Sequence, residues 1–156
     1  MRLNWQQLRI VRDSLFALVT CAVVLSLGYK LLPPALFGVA HMPLSAGDRI
    51  AFALKADLPV FLWLAGCVRA VSKGRFLSSA DIDGSGSASG PPSPAIQVQV
   101  AVLQNSVEQT IMAVGAHLIL ATLLEGPELH LIPILVGLYL LAVLSQSKAP
   151  SAALGP

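Results

Sequence analysis

LFALVTCAVVLSLGYKLL, Leu15 to Leu32, holds one charged residue, Lys30, and stops at Pro33-Pro34. A bilayer's hydrocarbon core takes about 20 mainly apolar residues as an α-helix, and a proline pair cannot continue one. The stretch therefore reads as a first membrane span, residues 15–32, behind a basic N-terminus, residues 1–14, with Arg2, Arg9 and Arg12. A basic flank before an apolar run also describes a secretory signal. This run is longer than most signal cores and no clear A-x-A site follows it, so an uncleaved span is expected. The triplet Gly38-Val39-Ala40 is what keeps cleavage open.

The whole chain has the same character. Of its 156 residues 55% are hydrophobic and 12% charged, against roughly 45–50% and about 25% in soluble domains. An ordinary soluble globule is excluded. A formal charge of +2 is too small to indicate nucleic acid as a partner. Cys21 and Cys67 both lie within apolar runs, where buried small hydrophobes are the ordinary reading.

Three more apolar segments follow. Residues 49–71 form a compromised second span, because Lys55, Asp57 and Pro59 interrupt its first half. Lys55 and Asp57 stand about 200° apart on a helix and cannot pair there, so each needs another helix, water or the headgroups. The ordinary expectation is that Lys55 snorkels and Asp57 lies near the interface. Residues 72–95 read as a mobile cytoplasmic linker, rich in Gly, Ser and Pro at Asp83 to Pro94. Residues 96–124 are a third span and 129–144 a fourth with Pro133, joined by the tight turn Glu125-Gly126-Pro127-Glu128. A small, polar tail, residues 145–156, should be disordered. The expected fold is all-α, a multi-pass transmembrane helical bundle of about four helices in one domain.

Lysine and arginine set the orientation. Three lie in the N-terminus and three at the linker (Arg69, Lys73, Arg75), while the first external loop has only flanking Lys30 and Arg49, and the tail has Lys148. Four crossings with both termini cytoplasmic fit that asymmetry.

The chemistry gathers in the third segment, at Val102 to Leu118. At 100° per residue Gln97, Gln104, Asn105, Glu108, Gln109 and Gly115 share about one third of the circumference, with His117 and Gln99 on the other side. Such a face should point inward, because a carboxylate in hydrocarbon is costly. Two uses are open. The groups can join helices or subunits through hydrogen bonds worth roughly 0.6 to 2 kcal/mol each. They can instead hold a polar ligand, with Glu108 accepting and Asn105 both donating and accepting.

LQNSVEQTIMAVGAHL, Leu103 to Leu118, resembles the signature helix of the MAPEG family, membrane-associated proteins in eicosanoid and glutathione metabolism, in which an Asn is followed three residues later by Glu. The apolar helix ending in Val68-Arg69-Ala70-Val71-Ser72-Lys73-Gly74-Arg75, with a loop before the signature helix, is similar too. The resemblance covers residues 49–144. It implies a helical bundle assembled as a homo-oligomer, a trimer in the family, with glutathione as cofactor between neighbouring subunits near the cytoplasmic side. Asn105 and Glu108 would hold the glutathione backbone, with Gln104 and Gln109 beside them and Arg75 as a carboxylate contact from the connector. An active member would be a glutathione-dependent transferase or isomerase acting on a lipophilic small molecule delivered by the bilayer.

The departures bear on catalysis. Ala101 stands where family enzymes commonly have an Arg and Gln109 where a Tyr is common. Val143, Ser145 and Gln146 occupy places where basic and aromatic residues are expected, and a last family helix is missing. A non-catalytic membrane interaction protein, or a truncated inactive member, is the alternative. No catalytic residue is assigned.

Two further patterns carry little. His41, His117 and His130 lack a metal-binding spacing, so no metal is expected. Asp81-Ile82-Asp83-Gly84-Ser85-Gly86 imitates the start of a calcium loop, but Pro92 stands where the bidentate Glu belongs.

Overall fold

The computed structural model describes residues 4–39, 45–82 and 91–147. Its elements are α1 (Trp5–Leu31), a 3-10 turn (Pro34–Phe37), α2 (Ala46–Ala56), α3 (Leu58–Leu77), the short α4 (Ser79–Ile82), α5 (Gln97–Leu123), a 3-10 turn (Gly126–His130) and α6 (Leu131–Ser147). The described residues are all-α. Three helical stretches, Trp5–Leu31, Gln97–Leu123 and Gly126–Ser145, are long and apolar enough to cross a membrane, and α2 with α3 makes a fourth when the bent pair is one span. The chain is an all-α, multi-pass membrane protein.

The bend has a local cause. Pro59 has no N–H to give to the carbonyl of Lys55, and its ring would collide with that carbonyl in a continuous helix. The chain breaks at Asp57, which ends α2 and starts α3. Its N–H donates back to the Ala53 carbonyl at 2.9 Å, and its own carbonyl accepts from Val60 at 2.9 Å and Phe61 at 3.2 Å. The two helices meet at 40°.

Beyond the bend, α2 and α3 run antiparallel along α5. Arg49 Nη1 donates to the Leu124 carbonyl at 3.2 Å, placing a cation where the α5 carbonyls run out of partners. One and two turns further along α2, Ala53 packs in one cluster with Ala121, and Asp57 meets His117. Lower down, Trp63 and Cys67 reach Ser106. At the far end Gly74 lies so close to Ile96 that an added Cβ would stand 2.6 Å from its side chain. Ala53 and Ala121, both fully buried, let the backbones approach, as small residues do between membrane helices.

The apolar core gathers where α2, the end of α5 and the start of α6 meet: Val39, Ala53, Ala121, Leu129 and Ile132, with Phe37, Phe52 and Leu118 against it. Helix α1 stands apart. Its one buried residue is Gly28, against Ile134 of α6, and Tyr29 stacks on His130 at 5.5 Å. Phe16 and Leu18 are 74% and 67% exposed, a surface that water would penalise and lipid accepts.

Several boundaries differ from the sequence expectations. α1 begins at Trp5, not Leu15, so Arg9, Arg12 and Asp13 extend the helix beyond its apolar stretch. The linker is shorter than residues 72–95, because Ser72 to Leu77 complete α3. Asp81 then clasps its ends: its carboxylate accepts from the Ser78 hydroxyl at 2.5 Å and from the Ser93 N–H at 3.0 Å and hydroxyl at 2.5 Å. The Asp83-to-Gly90 part of the expected mobile stretch lies outside the described residues. Of the expected disordered tail, Ser145 to Ser147 belong to α6, and the remainder is likewise outside. The Glu125-to-Glu128 turn is present, with Gly126 at a left-handed φ of 53° that favours glycine.

Candidate functional site

α5 displays two polar sets. The buried positions are Ser106, Thr110, His117 and Ala121, spaced by four, seven and four residues so that they form one stripe. The expected inward stripe lies elsewhere: Gln104, Asn105 and Glu108 are exposed and Gln109 is half-buried. Within one chain that face points away from the bundle, a correction to the inward reading. The reason is steric. α2, α3 and α6 close on the side where Ala121, Ser106 and Thr110 are small, and long amides would hold them apart.

The outer stripe is partly organised. Gln104 Nε2 donates to Glu108 Oε1 at 3.5 Å. Glu108 and Gln109 line an open cleft of about 360 Å³, whose other walls are Met112 of α5 and Tyr139, Ala142 and Val143 of α6. Two polar groups at one edge and apolar walls on the rest suit a ligand with a charged end and an apolar end. Arg75 is not brought there. It sits half-buried at the end of α3, beside Gly74, which packs on Ile96. Twelve residues of α5 separate Ile96 from Glu108, about 18 Å of rise. Arg75 acts instead on the connector: Asp81 is held below the usual 3.8 of an aspartate by the Ser78 hydroxyl, then by Ser93, with Arg75 adding a smaller share.

The inner stripe is a seam of cross-helix contacts. Trp63 Nε1 donates to Ser106 Oγ at 3.2 Å, and Cys67 Sγ lies 3.6 Å from the same oxygen. The hydroxyls of Thr110 and Tyr139 share a bond of 2.9 Å. At the top, His117 Nδ1 lies 2.6 Å from Asp57 Oδ1, with side-chain exposures of 5% and 0%. Asp57 thus has the partner on another helix that its place in an apolar segment called for, while Lys55 is exposed. The pairing was missed because sixty residues separate its members. A signal existed: each is an ionisable group in an apolar segment whose own helix offers it no partner on the same face, and two such groups lower their cost by meeting.

Among the described residues no group of three or more His, Cys, Asp or Glu side chains could hold a metal ion. Cys21 and Cys67 are free thiols, Cys67 buried. Comparison of the chain with protein-family models, with curated proteins and with solved structures gives no match.

Proposed function

We propose that this chain is a MAPEG-like membrane protein that binds glutathione or a closely related thiol on the outer face of α5, where a second copy of the chain closes the site, with both termini on the cytoplasmic side. One observation carries the reading: Glu108, with Gln104 and Asn105 beside it, is exposed on a helix apolar enough to span the membrane. A carboxylate facing lipid is expensive, and a neighbouring subunit or a polar ligand removes that cost. The cleft beneath Glu108 supports a thiol ligand bearing a lipophilic group, since Met112, Ala142 and Val143 line its floor.

Binding is the core of this proposal, and catalysis as a transferase or isomerase is secondary to it. α5 contains no Arg or Lys, so a cation to stabilise the thiolate must come from another segment or another copy. That absence favours a second reading, in which the outer stripe only joins subunits in a non-catalytic membrane assembly. Glu108→Ala separates the two. On the first reading the purified oligomer keeps its mass while glutathione affinity is lost in detergent; unchanged affinity overturns it. Dissociation of the oligomer, in a protein that binds no thiol, supports the second.

A further inference from the structure

Asp57 is the most completely buried ionisable group described, and its surroundings do not satisfy it. Oδ1 has His117 Nδ1 at 2.6 Å, whereas Oδ2 is buried without a hydrogen-bond partner. A buried carboxylate oxygen in that state carries its full desolvation cost. The residue also occupies the break between α2 and α3, so whatever happens at its carboxyl acts on the bend.

Among the described residues no other charge faces the pair. On α2, Arg49 is two turns away, bound to Leu124 and 3.7 Å from Glu125, and Lys55 is exposed. On α3, Arg69, Lys73 and Arg75 lie about three turns or more beyond Asp57, toward the opposite end. On α5, Glu108 faces outward. α6 contributes one titratable side chain, Tyr139, bonded to Thr110, and His130, which precedes α6, stacks on Tyr29 and Phe37. The charge of this part of the bundle is therefore set by the protons that Asp57 and His117 hold between them.

We propose that Asp57 and His117 form an intramembrane proton-binding site that governs the packing of α2 against α5. With one shared proton the pair is neutral as a whole, either as carboxylate with imidazolium or as carboxylic acid with imidazole. Loss of that proton leaves a net negative charge in an apolar interior, on a carboxylate whose Oδ2 already lacks a partner, and the low dielectric makes that state costly. The relief is to open the bend and admit water between α2 and α5. Ala53 and Ala121 are in van der Waals packing there, with no hydrogen bond between them to resist separation. The ligand is the proton itself, and the site goes beyond any thiol binding on the outer face, from which it is separated by the body of α5.

The test follows the full chain in detergent micelles. In a Trp5→Phe background, Trp63 fluorescence, two turns from Asp57, reports the thermal transition between about pH 8 and pH 5, the range in which histidine commonly changes charge. The expected result is a midpoint at least about 5 °C lower at the alkaline end, where unfolding releases the proton that the folded pair holds. Asp57→Asn, isosteric and without a carboxylate, should abolish that dependence or reverse its sign, and Asp57→Leu combined with His117→Leu should flatten it, while His130→Gln should retain it. Parallel pH profiles for the parent and Asp57→Asn overturn the proposal. If the paired leucine variant does not fold, the ring-nitrogen resonances of His117 decide: a ring that gives up its proton at higher pH in the parent than in Asp57→Asn supports the site, and the same titration in both overturns it.

Discussion

The inner face of α5 carries Ser106, Thr110 and His117, and the outer face carries Gln104, Asn105 and Glu108. Both are polar rows on one apolar helix. Each member of the inner row is buried and has a cross-helix partner: Trp63 and Cys67 for Ser106, Tyr139 for Thr110, Asp57 for His117. The outer row lies on an exposed surface, and a cleft beside it leads between α5 and α6. Burial distinguishes the rows. A serine or threonine bonds a neighbouring helix without spreading the backbones, whereas glutamine and glutamate reach beyond the surface of their own bundle. The inner row holds the fold together, and the outer row is available for a ligand or a second copy.

Substitutions should separate the two rows by their effect on stability. The largest loss is expected at His117→Ala, which strands the Asp57 carboxylate among apolar groups; about 3 kcal/mol is expected by unfolding in graded detergent mixtures. An effect no larger than that of an exposed position would mean that the pair does not hold α2. Ala53→Leu comes next. It drives three more carbons, a branch point and its two methyls, into the Ala121 contact, where overpacking costs about 2 kcal/mol by the same measurement. Thr110→Val leaves the Tyr139 hydroxyl without its partner and should cost about 1 kcal/mol. Glu108→Ala, on the outer row, should change stability by less than about 0.5 kcal/mol. Equal losses at Thr110 and Glu108 would break the distinction.

The smallest effect belongs to the connector. Asp81 is held below the usual aspartate value by Ser78 and Ser93. A depressed carboxyl stabilises the closed loop above its unfolded value of 3.8 and loses that contribution as the pH falls through the lower folded value. Asp81→Asn should therefore speed proteolytic cutting of the connector at neutral pH, while the parent resembles it only in acid well below pH 3.8.

The spans were legible because apolar length is a one-dimensional property. Pro33-Pro34 marked the end of α1 to within two residues, and Gly126-Pro127 marked the turn into α6. The break at Asp57 was half legible: Pro59 announced a weak point, but the choice of Asp57 as the junction depends on α5. The direction of the polar stripe was not legible. Periodicity shows that two faces differ; it does not say which one meets the bundle, and in a membrane helix both are apolar enough to do so. Ser106 and Thr110 lie off the stripe of Gln104, Asn105 and Glu108, yet their small volume made their own face the packed one. His117 lies on that face too, and nothing near it in the sequence marks Asp57 as its partner.

The distinction between the rows rests most heavily on the outer face being completed by a ligand and a second copy. Native mass spectrometry of the full chain, released from micelles with and without glutathione, tests this directly. The predicted spectrum shows an oligomer that gains glutathione, with the bound thiol lost in Glu108→Ala. A chain that flies as a monomer and takes up no thiol at any concentration would contradict the account.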